Sequence, residues 1–240
     1  MYSQRTYRNF KENQRLIPFQ VKVEETDLYI KARTRLEKET TELIIAVRNQ
    51  IEEYIRHHPS FKESLSPLPF DEFAPPVVKE MLKASSQAGV GPMASVAGAI
   101  AEWVGKSLLK YTPEVIVENG GDIFAYTSET MVIEVFAGDS PLSGKIGIKL
   151  KPSDMPVGIC TSSGTVGPSL SFGKADAVTI ISPSTALADA VATSIGNMIN
   201  KESDIPRGLK IGASIPQVRG VLIILKEKMG AWGEFELVNL

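Results

Sequence analysis

The chain has 240 residues, of which 43% are hydrophobic and 22% charged, an ordinary globular composition far from disordered or fibrous ones. Its 26 basic and 28 acidic residues leave a net charge of −2, so there is no electrostatic footprint for nucleic acid, and no basic amphipathic stretch suits a membrane surface. One cysteine and two histidines leave little material for a disulfide framework, a multi-cysteine zinc site or a Ser-His-Asp triad.

The length suits a single domain spanning residues 1–240. Met1 to Phe10 is polar and lacks the apolar stretch of a secretion signal, and no apolar run is long enough to span a bilayer. A cytoplasmic protein with no membrane partner is expected. Residues 19–23 and 28–32 alternate apolar and polar, bridged by 24–27, which predicts a β-hairpin. From Leu36 to Arg56 the apolar positions Leu43, Ile44, Val47, Ile51, Tyr54 and Ile55 recur at helical spacing opposite a charged face. His57 and His58 close that helix before Pro59, where cations complement the helix dipole. Together these elements make an N-terminal hairpin-helix unit of about residues 1–66.

Ser66-Pro67-Leu68-Pro69 and Ala74-Pro75-Pro76 frame a connection that cannot be helical throughout. A second helix is predicted from Pro76 to Ser86, broken by Gly89-Val90-Gly91-Pro92. A third, Met93 to Leu109, has one apolar stripe and one smooth face of Ala94, Ala97, Gly98, Ala101 and Gly105. Something must approach that smooth face closely, either another element of the chain or a flat ligand.

Strands are predicted at 114–118, 123–126, 131–136, 145–149, 157–161 and 177–181, with a closing hairpin of 221–225 and 234–238 among C-terminal strands at about 210–240. Cys160 lies within the apolar run from Val157, the setting of a buried strand thiol.

Three segments could carry chemistry, within a ligand-core region of about 89–199. Asn119-Gly120-Gly121-Asp122 is a turn between strands; its glycines either serve the turn alone or let the backbone reach a phosphate or ring. Thr161-Ser162-Ser163-Gly164 is either a plain loop or a hydroxyl- and amide-rich cradle for an anion. After a strand, Ser184 or Thr185 caps a helix on which Asp189 and Thr193 stand one turn apart on a smooth face. Two hard oxygen donors there suit magnesium. The alternative is an Asp that favours its own helix dipole and a Thr bonded back to the backbone.

In combination, Glu118 to Ile123, Thr161 to Gly164, and Ala177 to Pro183 leading to Ala188-Asp189-Ala190-Val191-Ala192-Thr193 resemble the flavin transferase (ApbE) superfamily. The resemblance implies an α+β fold of mixed or antiparallel sheets packed with helices, two of them rich in small residues and lining a cleft. It implies magnesium on Asp189 and Thr193 beside the diphosphate of FAD or another nucleotide, and a ligand site lined by Asn119, Gly120, Gly121, Asp122, Thr161, Ser162, Ser163 and Gly164. The family's Ala-Lys-Gly motif is matched by Val96-Ala97-Gly98, without its lysine. Only Thr165 to Ala177 separate Gly164 from Val178, with no histidine and no Asp-Pro-x-Thr-Gly motif.

This pattern resembles the short cytoplasmic branch of the family in anaerobic archaea and bacteria. That branch implies a part in anaerobic sulfur assimilation, with sulfide incorporated on the way to homocysteine and a small-molecule or protein partner in that metabolism. Three functions are therefore open: a ligand-binding protein or enzyme of sulfur metabolism, a magnesium-dependent FAD:protein FMN transferase, or a binding or assembly module with a vestigial site and no cofactor. A homodimer is the expected assembly, since most soluble oligomers are small and symmetric.

Overall fold

The computed structural model describes residues 15–164 and 172–240. It is built in three layers: helices, an eight-stranded sheet, and a three-stranded sheet. Strands β1 (Ile17–Val23), β2 (Thr26–Ala32), β3 (Val115–Asn119), β4 (Asp122–Tyr126), β7 (Val157–Ser162), β8 (Ala177–Ser182), β9 (Gly220–Leu225) and β10 (Lys228–Gly233) form the large sheet in that order, every neighbour antiparallel. Strands β5 (Met131–Glu134), β6 (Ile146–Leu150) and β11 (Glu236–Asn239) form the small one, in the order β11-β6-β5. The α+β architecture with antiparallel sheets agrees with the expectation.

The central strands are buried on both faces, so they carry apolar residues at consecutive positions instead of alternating. Val115, Val117, Phe124, Cys160, Val178 and Ile180 point to the helices and join the larger core. Ile116, Ile123, Ala125, Ile159, Ala177 and Ile181 point the other way and pack on Ile133, Ile146, Ile148 and Leu150 of the small sheet. This period of two decides which face each site residue occupies. Asn119, Asp122 and Ser162 fall on the helix side, while Glu118 and Thr161 fall on the other.

Helices α1 (Glu37–His57), α3 (Pro76–Ala88), α4 (Val96–Leu108), α5 (Thr185–Gly196) and α6 (Ile205–Ser214) are accompanied by a single turn, α2 (Ser60–Glu63). Helix α1 buries Thr40, Ile44, Val47 and Ile51, its apolar stripe. Arg48 on α1 bonds Glu25 at 2.7 Å and also pairs with Glu24, which ties the helix to the two-residue β1–β2 turn. Helix α3 starts with Pro76 and stops where Gly89 turns left-handed at φ 71°, as a proline-to-glycine bracket should. The histidines act locally: His57 bonds Glu53 at 3.0 Å, and His58 terminates the helix with its ring stacked on Tyr54 at 4.2 Å.

Two differences from the sequence expectation are instructive. The partner of β9 is β10, a strand containing Gly230 and Gly233 and exposed over most of its length. The predicted partner 234–238 instead becomes β11 and crosses to the small sheet, where Leu237 pairs with Ile148. Gly233, at φ 120° and packed on the Arg219 carbonyl, makes the bend between them, a conformation closed to larger residues. Helix α6 was not expected, because Pro206, Gly208 and Gly212 lower its helical propensity. Those glycines let it lie directly on Val221 and Ile223 of β9.

Candidate functional site

Helix α5 positions most of the site. It follows β8 through Ser184, whose hydroxyl accepts the Leu187 amide at 3.3 Å as an N-cap. Nine of its twelve residues are buried; only Asp189, Thr193 and Ser194 are not. A helix this enclosed, with packing against α3, α4, β7 and β8, opens along one narrow strip, and that strip carries a carboxylate and a hydroxyl one turn apart.

The smooth face of α4 is met by protein, not by empty space. A methyl added at Gly98 would lie 2.5 Å from the Thr185 carbonyl oxygen and 2.8 Å from the Asp189 Cβ, and one at Gly105 would strike the Phe124 ring. On the sheet beneath, a methyl at Gly158 would run into the Thr185 backbone. Thr185 is thus clamped between glycines of α4 and β7. Its hydroxyl is buried with no hydrogen-bond partner among the described residues.

The two helices satisfy each other's first turns. Asp189 on α5 accepts the Gly98 amide of α4 at 2.9 Å, and Glu102 on α4 accepts the Thr185 and Ala186 amides of α5 at 2.7 and 3.2 Å. Helix N-termini leave unpaired amides and a positive dipole end, so each carboxylate meets both needs. Neither ordinary reading of Asp189 and Thr193 holds as stated: Asp189 serves the neighbouring helix, not its own, and the Thr193 hydroxyl has no hydrogen bond among the described residues.

The β3–β4 turn comes in from the side. Gly120 and Gly121 occupy φ 68° and 107°, the left-handed conformations a two-residue turn requires. Asn119 donates its side-chain amide to the Ala97 carbonyl at 3.0 Å, which ties the turn to the start of α4. Glu118, on the opposite face, accepts the Gly121 amide at 2.8 Å and holds the turn shut. Asp122 pairs across the sheet with Cys160 and is buried. Burial raises its carboxyl well above the ordinary range, and the negative charge of Asp189 raises it further. Asp189 is pushed up to about 7, again chiefly by burial, against the lowering effect of the Gly98 and Ala97 amides.

The residues singled out in the sequence are therefore brought together unevenly. Asn119, Asp122, Asp189 and the start of α4 converge. Ser162 reaches the far end of α5, where its hydroxyl would lie 3.3 Å from a methyl placed on Gly196. The Thr161 hydroxyl is taken by Thr179 at 2.9 Å on the small-sheet side, although its carbonyl still faces Gly121. Ser163 and Gly164 leave the strand, and Gly164 bonds the Ala175 carbonyl at 2.8 Å. Most of the segment from Thr165 that was expected to carry no transfer residue lies outside the described residues.

Sequence reasoning missed Glu102 and Gly158. Glu102 had a visible signal, as the only acidic residue in a thirteen-residue helix of mostly small and apolar side chains. Gly158 had none, because a glycine in a strand does not announce what packs on it.

A cation fits the donor set in part. Asp189 keeps lone pairs beyond its contacts with the Gly98 and Ala97 amides, Thr193 offers a hydroxyl, and two carboxylates lie close together with no lysine or arginine paired to either among the described residues. No group of three or more His, Cys, Asp or Glu side chains among the described residues is arranged to hold a metal. A divalent ion here would rely on hydroxyl, ligand or water oxygens for the rest of its shell.

A family model described as AbpE bacteria matches residues 8–210. A UPF0280 protein of Methanocella arvoryzae is 41% identical over 194 residues, covering 79% of this chain and 78% of its own. The chain belongs to this ApbE-like family. A second UPF0280 relative, from Methanocaldococcus jannaschii, is 39% identical over 224 residues, covering 90% of this chain and 91% of its own. Among solved structures, the flavin transferase ApbE of Vibrio cholerae superposes with a TM-score of 0.59 at 16% identity, over 93% of this chain and 96% of that one. The apo flavinyl transferase ApbE of Pseudomonas stutzeri gives 0.56 at 12% identity, over 93% and 94%. At such identities the likeness establishes the ApbE fold. No helix among the described residues is long and apolar enough to cross a membrane.

Proposed function

We propose that this ApbE-like chain binds FAD or another nucleotide, together with a divalent cation such as magnesium, at the open strip of α5. The observation that carries this reading is that an otherwise enclosed helix leaves Asp189 and Thr193 only partly covered, beside a double-glycine turn and the buried carboxylate of Asp122. Asp189 and Thr193 would hold the cation, which would neutralise a diphosphate that the two carboxylates alone would repel. Asn119 to Asp122 would line the ligand, with Gly120 and Gly121 leaving room for it at the turn and Asn119 fixing the turn against α4. Thr161, Ser162, Ser163 and Gly164 would contribute backbone groups and the Ser162 and Ser163 hydroxyls.

Titration with FAD, FMN and ADP, with and without magnesium, tests this directly. FAD or ADP should raise the melting temperature only when magnesium is present, and Asp189→Ala should abolish the increase. No response to any nucleotide would remove the reading.

Whole-chain likeness to flavin transferases favours a second reading, FMN transfer from FAD to a protein. Incubation with FAD, magnesium and an acceptor peptide decides it. The family's lysine position is occupied by Ala97, so we expect no covalent flavin on the peptide. A third reading, an assembly module with a vestigial site, draws support from the structural task that Asp189 already performs on Gly98. It requires that no nucleotide bind. A role in anaerobic sulfur assimilation toward homocysteine rests on the family resemblance, and growth of an Asp189→Ala strain on limiting sulfide tests it.

A further inference from the structure

A second candidate site lies away from α5 and shares no residue with it. Between the C-terminal end of α1, α2 and the loop of residues 64–75 is an open groove of about 540 Å³. That is within the range of roughly 300–1,000 Å³ typical of small-molecule sites. Its walls include Tyr54, His58, Phe61, Phe70, Asp71 and Phe73. We infer that it binds the ammonium or guanidinium head of a small organic amine.

The rings are displayed, not merely left over. Phe73 is 96% exposed and Phe70 49% exposed, an arrangement that costs hydrophobic free energy unless something covers them. The loop that presents them is fixed. The Phe73 amide donates to Asp71 Oδ1 at 2.8 Å, the Tyr54 hydroxyl donates to Asp71 Oδ2 at 3.0 Å, and Ala74 is buried behind them. Pro67, Pro69, Pro75 and Pro76 restrict the same segment, and the carbonyl of Ser64 lies against Gly91.

Charge selects the ligand class. Neither Asp71 nor Glu72 forms an ion pair among the described residues, and Lys83, beside Phe70, is paired with Glu80 at 3.0 Å, so the balance of charge at the rim is negative. Aromatic faces attract cations through their quadrupole; Lys83 Nζ takes the Phe70 face, 5.8 Å from its ring centre, which leaves Phe73 as the uncovered ring for a ligand. An anion would be repelled by the two carboxylates, and a neutral apolar ligand would gain nothing from them. A cation with a short apolar stem meets the Glu72 carboxylate and the open Phe73 face together, while Asp71 keeps its two hydrogen bonds within the loop and adds its charge from behind.

Calorimetric titration of the full chain with butylguanidinium and with butylurea, which differ in charge and hardly in shape, tests the assignment. Butylguanidinium should bind about tenfold more tightly than butylurea. Phe73→Ala and Glu72→Gln, both at exposed side chains, should each weaken it about threefold to fivefold without moving the melting temperature. Equal affinity for the two probes, no binding of butylguanidinium, or unchanged affinity in Phe73→Ala would overturn the proposal. Binding of a capped arginine peptide in place of butylguanidinium would also overturn it, as the site would then belong to a protein partner.

Discussion

Glu102 and Asp189 hold α4 and α5 in a reciprocal clasp, each carboxylate accepting amides from the first turn of the other helix. The two members are not equivalent. Glu102 is also paired with Lys106 at 2.5 Å, so its charge is compensated, whereas Asp189 sits beside buried Asp122. Glu102→Gln should cost about 1–2 kcal/mol, the scale of a lost charge-assisted cap. Asp189→Asn keeps an oxygen that can accept the Gly98 amide and relieves repulsion with Asp122, so its cost should be smaller. Urea midpoints of the two variants check the order, and a larger loss from Asp189→Asn would contradict it.

The glycine at position 98 makes that clasp possible. An added methyl would lie 2.5 Å from the Thr185 carbonyl, a backbone atom with no room to retreat because Gly158 backs Thr185 from the other side. Gly98→Ala should therefore destabilise the chain by about 1–3 kcal/mol despite the better helical propensity of alanine. Gly120→Ala, at an exposed position with nothing within 4 Å, should cost less, because only its φ of 68° is strained. Chemical denaturation of both separates a packing clash from a backbone one.

Much of this was legible in the residues themselves. The smooth stripe on α4 announced a close neighbour, and the Asn-Gly-Gly-Asp turn announced a left-handed backbone; both appear as expected. What could not be foreseen was which neighbour fills the stripe, since a helix and a flat ligand demand the same small residues. Strand β10 escaped notice because Met229, Gly230, Ala231 and Gly233 lack the β-branched pattern of a buried strand. The face on which Thr161 lies depends on strand register, which a single added or missing residue reverses.

Cys160 should be chemically silent in the folded chain. Its thiol donates to the Thr185 carbonyl at 3.3 Å, and burial raises its ionisation well above the usual value, with the charges of Asp122 and Asp189 adding to the effect. A disulfide reagent such as dithionitrobenzoate should leave it untouched at pH 8 and titrate one thiol in urea. Rapid labelling of the native protein would mean that the α5–β7 contact opens readily.

The Asp122–Asp189 carboxylate pair sets an unusual pH dependence. Asp189 moves from an ordinary 3.8 to about 7, and Asp122 also shifts upward, so the folded chain binds protons more tightly than the unfolded chain does. Stability from this pair is therefore fully present below about pH 4 and is lost as pH rises through about 7. The lowered carboxyl of Glu114, buried but held by Ser128, Arg33 and Arg15, acts in the opposite sense at more acidic pH, so the test window is pH 5 to 7.5. Over that window the melting temperature should fall in the absence of divalent ions. Asp122→Asn should flatten the decline. If the proposed cation site exists, magnesium at pH 7.5 should restore most of the loss in the parent chain and none in Asp189→Asn. A flat profile in the parent chain would show that the two carboxylates are not buried together, and magnesium without effect on a sloping profile would leave the pair structural and the cation unsupported.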